Sequence, residues 1–211
     1  MKLCMIGTGY VGLVSGTCFA DIGNQVICVD KDLKKINKLN SGFSPIYEPG
    51  LEELIKKNFL AKRLSFTNNV KNAINASDII FICVGTPTKK GTFEVDLSFI
   101  NQCVKEILKY SKKRKIIVTK STVPVGTGDK IEKLLKKKRK LFTLVSNPEF
   151  LREGEAIRDF RFPDRIIIGS NEKKVFNIMK KLYSPLISKG AKFFTTSRRG
   201  AELIKYASNA F

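Results

Sequence analysis

The sequence of 211 residues contains no histidine. Proton transfer must therefore use carboxylates, lysines, tyrosines, thiols or water, and a Ser-His-Asp triad is excluded. The five cysteines are odd in number and include no C-x-x-C pair, which argues against a disulfide framework and a zinc site, so we predict no metal. Unpaired thiols fit a reducing compartment, and we expect a cytoplasmic protein. No run of about 18 apolar residues is present, so no membrane partner is predicted.

Acidic residues are scarce, because 19 Asp and Glu stand against 39 Lys and Arg and leave a net charge of +20. Such a charge favours nucleic acid, a membrane surface or anionic small molecules as partners. The densest basic run, residues 133–140, follows an amphipathic segment, and we interpret it as the solvated end of a helix. A nucleic-acid interface would need a basic face interleaved with aromatic residues or a known reading motif, and neither is visible. We therefore expect no nucleic-acid partner; duplex binding with a steep salt dependence is the alternative.

Short apolar runs alternate with longer amphipathic segments, which is the pattern of βα units on a parallel sheet. The pattern predicts strands at 2–6, 25–29, 64–66, 79–84, 115–119, 142–145, 165–168 and 192–194. It predicts helices at 11–22, 34–40, 51–58, 98–111, 129–136, 173–183 and from about 199 onward. The predicted fold class is α/β, with a doubly wound, mostly parallel sheet in one domain of residues 1–196. Residues 197–211 are predicted to start a long connecting helix without a terminal cap, and we expect the chain to be cut there.

A glycine-rich turn joins the first predicted strand to the first predicted helix. Residues 7–12 read G-T-G-Y-V-G, and Asp30 ends the following strand. This is the dinucleotide-binding fingerprint of Rossmann-like domains. Gly7 permits the tight turn, Gly9 lets the backbone approach a pyrophosphate, and Gly12 lets the helix pack against the strand, while the helix N-terminus faces the negative charge. A structural glycine turn without a ligand is the alternative.

Asp30 also bears on the identity of the dinucleotide. A carboxylate at this position accepts hydrogen bonds from the ribose 2′-hydroxyl and repels a 2′-phosphate, so we predict NAD rather than NADP as the cofactor. Lys31 and Lys35 lie close by in the sequence and could soften that repulsion.

Three more loops follow predicted strands, at residues 85–88, 121–126 and 147–153. The ligand crevice of an open parallel sheet lies outside the carboxyl ends of its strands, so all three loops should point toward the glycine turn. Turn-forming Pro and Gly explain much of the first two loops without any ligand. Glu149 and Glu153 could instead charge the start of a following helix. The shared position of the loops favours a functional role.

Six segments, in order along the chain, resemble the signature segments of the UDP-glucose/GDP-mannose dehydrogenase family. They are GTGYVGL at 7–13, SPIYEPGL at 44–51, VGTP at 84–87, KSTVPVGT at 120–127, NPEFLREG at 147–154 and FPDRIIIG at 162–169. The second and fourth are more similar to the UDP-glucose branch than to the branches that oxidise GDP-mannose or UDP-N-acetylmannosamine. The resemblance implies an NAD-dependent oxidoreductase that converts the C6 alcohol of UDP-glucose to the acid in two steps. It also implies a UDP-sugar as partner and a homodimer as the full-length assembly.

The resemblance implies roles for individual residues as well. Together with the three glycines of the turn, the residues that would contact NAD are Tyr10, Val11, Asp30, Lys35, Thr86, Thr122 and Glu153. The residues that would line the sugar-nucleotide side are Glu149, Phe150, Leu151, Arg152, Glu153, Lys205 and Asn209. The implied catalytic set is Thr122 and Glu149, which would hold or activate water, and Lys205 and Asn209, which would stabilise a developing oxyanion. Lys205 and Asn209 are four residues apart and therefore share one helix face. The alternative interpretation is that this face is an ordinary solvated helix surface.

One departure from the family is expected. The resemblance implies a cysteine nucleophile for the second oxidation, and no cysteine here lies on a loop of the ligand side. That cysteine is expected beyond residue 211, so the chain alone is expected to be inactive as the cofactor half of the enzyme. A module that binds NAD without turnover, as a regulatory or interaction subunit, is the alternative from another class.

Overall fold

The apolar runs of the sequence form eight strands in the computed structural model, which describes residues 1–136 and 138–210 in full and the backbone of residue 137. The strands are β1 Lys2–Ile6, β2 Gln25–Val29, β3 Leu64–Thr67, β4 Ile79–Ile82, β5 Lys115–Thr119, β6 Phe142–Ser146, β7 Arg165–Gly169 and β8 Lys192–Thr196. They make one sheet in the order β3-β2-β1-β4-β5-β6-β7-β8. The predicted α/β class and the eight predicted strands are confirmed.

Strand direction changes once across the sheet. Strands β1 to β6 run parallel to one another, β7 runs antiparallel to β6, and β8 is parallel to β7. The strand order reverses at β1, which lies between β2 and β4. Open α/β sheets bind ligands at such a switch point, at the carboxyl ends of the strands.

Helices connect the strands and cover both faces of the sheet. They are α1 Tyr10–Asp21, α2 Leu33–Asn40, α3 Leu51–Leu60, α4 Val70–Ala76, α5 Ser98–Tyr110, α6 Thr127–Leu134, α7 Ala156–Arg161, α8 Lys174–Leu182, α9 Ser184–Ile187 and α10 Arg198–Ala210, with a 3-10 helix at Lys136–Leu141. Every predicted helix is present within two residues of its predicted bounds. The sequence pattern did not predict α4, α7, α9 or the 3-10 helix.

The core lies in two layers, one on each face of the sheet. Alternation along β1 sends Leu3 and Met5 into one layer and Cys4 and Ile6 into the other, as the period of two in a strand requires. Both faces of β1 are therefore covered, which explains its continuous apolar sequence. The ring of Phe19 on α1 is fully buried in the first layer, with its centre 5.1 Å from that of Phe81 and 5.0 Å from that of Phe160.

The basic run at residues 133–140 is only partly the solvated helix end that we predict. Helix α6 ends at Leu134, and a 3-10 helix follows. Lys138 and Lys140 are exposed, but the guanidinium of Arg139 is half-buried and lies 2.8 Å from Glu132 and 2.9 Å from Glu172. The expectation is wrong for Arg139, because these two carboxylates compensate its charge at the base of the sheet.

Helix α10 is attached to the domain by its first two turns. Buried Arg198 lies 2.9 Å from Asp129 on α6, and the carboxylate of Glu202 accepts hydrogen bonds from the amides of Gly126 at 2.6 Å and Gly128 at 2.8 Å. These contacts fix the helix that carries Lys205 against the loop after β5. The predicted helix at 197–211 is observed over Arg198–Ala210, and its last position, 211, lies outside the described residues.

Candidate functional site

The turn between β1 and α1 depends on two glycines for different reasons. Gly7 has φ +103°, in the left-handed region that favours glycine, and a Cβ there would lie 2.8 Å from the carbonyl oxygen of Cys83. A Cβ on Gly12 would lie only 1.9 Å from the carbonyl oxygen of Gly7. At Gly9, in contrast, a Cβ would meet nothing within 4 Å. The open space at Gly9 leaves room for a ligand against the backbone.

The N-terminus of α1 offers donors to an anion. Among the described residues, no side chain caps this helix, and its first turn contains no acidic residue. The first amides of a helix have no partner within it, and the helix dipole adds a partial positive charge. A phosphate above exposed Gly9 would therefore meet free N–H groups and a favourable field.

Asp30 is held in position by the same turn. Its Oδ2 accepts hydrogen bonds from the amide of Thr8 at 2.8 Å and the hydroxyl of Thr8 at 2.7 Å, and its Oδ1 accepts one from the amide of Asp32 at 3.0 Å. Burial opposes ionisation, but these hydrogen bonds outweigh it and lower the pKa of Asp30 below its ordinary value. The side chain is a fixed anion at the end of β2.

A first cavity of about 310 Å³ opens between the glycine turn and α5. Its charged lining residues are Asp30, Lys31, Lys35 and Glu106, and the ammonium of Lys31 lies 4.9 Å from the ring centre of Phe99. Ile6, Val29, Val70 and Phe99 are among its apolar walls. An apolar slot that ends at a fixed carboxylate suits a flat base attached to a ribose.

Two loops beside this cavity bind each other. The hydroxyl of Thr86 donates to the carbonyl oxygen of Thr122 at 2.8 Å, and the hydroxyl of Ser121 donates to the carbonyl oxygen of Val84 at 2.7 Å. The loops follow β4 and β5, so they lie at the carboxyl ends of adjacent parallel strands. This arrangement matches the expected ligand side of the sheet.

A second cavity, of about 760 Å³, lies between the loop after β6 and helix α10. Oε1 of Glu149 is 3.3 Å from Nζ of Lys205, and Oε2 of Glu149 accepts a hydrogen bond from the amide of Leu151 at 2.6 Å. The ring of Phe150 lies beneath two cations, with its centre 4.6 Å from the guanidinium of Arg165 and 5.3 Å from the ammonium of Lys205. The cavity is positively charged over an aromatic floor.

Lys120 places a further cation on the wall of the second cavity. The residue is 5% exposed, and its ammonium makes no ion pair within 4.0 Å in the described part of the chain. Burial lowers the pKa of Lys120, and the charge of Lys205 lowers it further, against the attraction of Glu149. A cation on a residue that is mostly buried is costly to fold when it makes no ion pair, so its position on a cavity wall points to a functional reason.

The five cysteines do not contribute a reactive thiol to either cavity. All are buried, and burial raises the pKa of the Cys83 thiol to about 12 and that of Cys103 to about 12. A thiolate is the nucleophilic form, so these cysteines are packing residues. No group of three or more potential metal ligands occurs among the described residues. None of the helices described in the structure is long and apolar enough to cross a membrane.

Comparison with known proteins now identifies the domain. The family model described as "UDP-glucose/GDP-mannose dehydrogenase family, NAD binding domain" matches residues 1–187. The chain belongs to this family. NAD is therefore the cofactor of this domain. The first cavity, which Gly7, Gly9 and Asp30 line, is the feature to compare with the NAD sites of the family.

Individual relatives agree with the family match. The chain is 50% identical over 215 residues to UDP-glucose 6-dehydrogenase of Rhizobium meliloti, covering 100% of this chain and 49% of that protein. It is 51% identical over 213 residues to UDP-glucose 6-dehydrogenase TuaD of Bacillus subtilis, covering 100% and 45%. The crystal structure of a ternary complex of GDP-mannose dehydrogenase from Pseudomonas aeruginosa matches with a TM-score of 0.93 and 38% identity, covering 100% of this chain and 49% of that one. The chain spans about half the length of the relatives it matches.

The predicted site residues of this family member separate into three groups. Gly7, Gly9, Asp30 and Lys35 line the first cavity; Glu149, Phe150, Leu151, Arg152, Lys205 and Asn209 line the second; Tyr10, Val11, Gly12, Thr86, Thr122 and Glu153 line neither. The hydroxyl of Tyr10 is turned to Glu48, so only its backbone faces the turn. The guanidinium of Arg152 lies 2.7 Å from Asp159, and Glu153 is exposed.

Phe99, Lys120, Arg165 and Glu48 are among the cavity and loop residues that were not predicted. The sequence could have indicated Phe99, because this large apolar residue lies off the buried stripe of α5 that Ile100 and Cys103 occupy. The sequence could also have indicated Lys120, since a lysine directly after a buried strand lies at the ligand edge of the sheet. Arg165 and Glu48 fall in segments that resemble the family, but nothing local indicates what they contact.

Proposed function

We propose that this chain is the cofactor half of a UDP-glucose 6-dehydrogenase. In the first step the C6 alcohol of UDP-glucose loses a hydride to NAD and a proton, which gives an aldehyde. In the second step the cysteine thiolate that the resemblance implies adds to the aldehyde carbon, a second hydride leaves for a second NAD, and water hydrolyses the resulting thioester to UDP-glucuronate and the free thiol. The observation that carries the proposal is the pairing of Glu149 with Lys205 in a cavity beside the NAD domain's glycine turn.

The second cavity has the charge that this reaction needs. Removing a proton from an alcohol leaves negative charge on its oxygen, and fixed donors in a water-poor site stabilise that charge. Lys205 and Asn209 both line the cavity from one face of α10. Glu149 neutralises Lys205 before a substrate arrives, and it can hold a water molecule for the second step. Bound NAD would supply the hydride acceptor from the side of the glycine turn.

The remaining site residues take roles that follow the resemblance. Val11, Thr86, Thr122 and Glu153 are proposed to contact NAD, and Thr122 to help hold water. Phe150, Leu151 and Arg152 are proposed to line the UDP-sugar side, which their position on the wall of the second cavity supports. A homodimer and a cytoplasmic location belong to the same proposal; five unpaired buried thiols support a reducing compartment.

Oxidation of GDP-mannose is the second candidate, because the GDP-mannose dehydrogenase structure has the same fold at 38% identity. The test is kcat/KM of the natural protein that contains this chain, measured by NADH formation with UDP-glucose, GDP-mannose and UDP-N-acetylmannosamine. The proposal predicts the highest value for UDP-glucose. A higher value for either other sugar would reassign the substrate, and no NADH with any of them would favour a binding module without turnover.

A further inference from the structure

Glu48 is a buried carboxylate that joins two parts of the site. Its side chain, in a residue that is 6% exposed, accepts hydrogen bonds from the amides of Gly154 at 2.8 Å and Ala156 at 2.8 Å. It also accepts one from the hydroxyl of Tyr10. The amide of Ile157 adds a longer hydrogen bond at 3.4 Å. A carboxylate with four such donors is well compensated for burial. The donors belong to the first residue of α1 and to residues 154–157, where the chain enters α7.

One part is the glycine turn of residues 7–12, called the cofactor turn here. The other is the loop of residues 147–155, called the sugar-side loop, which leads into α7. Tyr10 directly follows Gly9, so its backbone belongs to the turn that would meet the pyrophosphate. Gly154 directly follows residues 149–153, which line or adjoin the second cavity. The amide of Gly154 also donates to the Tyr10 hydroxyl at 3.1 Å, which closes a triangle with Glu48. Burial and then the hydrogen bond to Glu48 raise the pKa of Tyr10, so its hydroxyl keeps the proton that it donates.

We infer that Glu48, through Tyr10, is a positioning residue that couples the cofactor turn to the sugar-side loop. A dinucleotide that binds the amides at the start of α1 restrains the backbone of Tyr10. The Tyr10 hydroxyl then has fewer positions relative to Glu48, and Glu48 in turn holds the amides of Gly154 and Ala156. A coupling of this kind needs no change of shape, because ordering one end lowers the cost of ordering the other. The statement that this loop faces a nucleotide sugar rests on the proposed function. The coupling between bound NAD and the loop does not depend on which sugar the protein oxidises.

A simple structural brace is the competing explanation, and it predicts something different. Replacing Glu48 would remove all these hydrogen bonds and could unfold the loop under either explanation. Tyr10→Phe is the sharper variant, since it removes one hydroxyl and leaves the ring and the bonds from Gly154 and Ala156 to Glu48. A brace predicts a small loss of stability only. Coupling predicts that NAD no longer affects the sugar-side loop.

The test is hydrogen–deuterium exchange of the 211-residue chain with and without saturating NAD, resolved to single amides by NMR. In the wild type, NAD should slow exchange in residues 7–13 and should also slow it at Gly154 and Ala156 by about fivefold or more, the lower end of ordinary coupling energies. In Tyr10→Phe, the slowing in residues 7–13 should remain and that at Gly154 and Ala156 should disappear. Tyr110→Phe, a half-buried tyrosine at the end of α5, is the matched control and should behave as the wild type.

Two results would overturn the inference. Equal NAD-induced slowing at Gly154 and Ala156 in the wild type and in Tyr10→Phe would mean that Tyr10 carries no coupling. Slowing confined to residues 7–13 in the wild type would mean that no coupling exists. Failure of the proposed function is distinguishable, because a different sugar preference of the natural protein leaves all of these exchange rates as expected.

Discussion

Oε1 of Glu149 lies 3.3 Å from Nζ of Lys205, and both side chains are about nine-tenths buried on the wall of the second cavity. Glu149 lies in the loop after β6 and Lys205 lies in α10, and the two residues are 56 positions apart in sequence. A buried ion pair is weak evidence for stability, since desolvation opposes the attraction. Its position in a cavity favours a catalytic reason for it.

Lys205→Ala in the natural protein that contains this chain should lower kcat for UDP-glucose by about a hundredfold or more, as the loss of one preorganised donor commonly does. NAD affinity should not change, because Lys205 lies outside the first cavity. Lys180→Ala, an exposed lysine on α8, is the control. A normal kcat in Lys205→Ala would remove Lys205 from the catalytic set.

The same added methyl group should mainly affect stability at Gly12 and NAD binding at Gly9. Gly12→Ala should destabilise the chain by about 3 kcal/mol or more, because the new Cβ would lie 1.9 Å from the carbonyl oxygen of Gly7. Gly9→Ala meets nothing within 4 Å and should cost about 1 kcal/mol or less, the usual size of a helix-cap effect. It should nevertheless weaken NAD binding, since the methyl occupies the space beside the backbone. Urea denaturation and calorimetry measure the two quantities, and tight NAD binding by Gly9→Ala would contradict this use of the turn.

Lys120 and Lys115 are both buried lysines, yet the same substitution should have opposite effects. Lys120→Met removes a charge from a residue that is mostly buried, and it should raise the free energy of unfolding by about 1–2 kcal/mol. Lys115→Met should lower it by about 1–2 kcal/mol, because the ammonium of Lys115 donates to the carbonyl oxygens of Asn75 and Ser77. Urea denaturation measures both. Changes of the same sign would show that Lys120 is compensated in the fold.

The gain from Lys120→Met should depend on pH. Burial lowers the pKa of Lys120 below its ordinary 10.5, so the unfolded chain binds this proton more tightly than the folded one. Wild-type stability therefore rises with pH between the lowered pKa and 10.5, relative to the variant. The gain should be full below the lowered pKa and shrink as the pH approaches 10.5. A gain that is constant over this window would mean that Lys120 is not buried as an ammonium.

The parts of the molecule that were predictable from sequence are those determined by neighbours along the chain. The turn of residues 7–12 and Asp30 belong to one strand-helix-strand unit, and the continuous apolar runs of β1 and β4 follow from their coverage on both faces. Helix α7 was not predicted because its six residues bury only Ala156, Ile157 and Phe160, which is too short a pattern to show a period.

Contacts between distant segments were the part that sequence could not provide. Strand β7 runs antiparallel to β6, and no local pattern in the sequence indicates this reversal. Glu48 meets Gly154 and Ala156 only because α1, α3 and α7 pack together. The Arg165 guanidinium reaches Phe150 only once β7 lies beside β6. Nothing in the local pattern of these residues specifies their partners.

The 211-residue chain should bind NAD at least about tenfold more tightly than NADP, which is about 1.4 kcal/mol, because Asp30 is a fixed anion at the end of β2. Asp30→Asn should reduce that preference. Asp164→Asn, a carboxylate that lies on the second cavity, should leave it intact. Calorimetric titration of the three proteins with both cofactors decides the matter, and equal affinities in the wild type would mean that Lys31 or Lys35 dominates the site.

The number of NADH molecules formed per UDP-glucose by the natural protein that contains this chain tests the proposed two-step oxidation directly. With limiting UDP-glucose and excess NAD, absorbance at the end of the reaction measures NADH, and chromatography measures the sugar product. Two NADH should form for each UDP-glucose consumed, with UDP-glucuronate as the product. One NADH with a product that remains at the aldehyde, or no NADH at all, would contradict it.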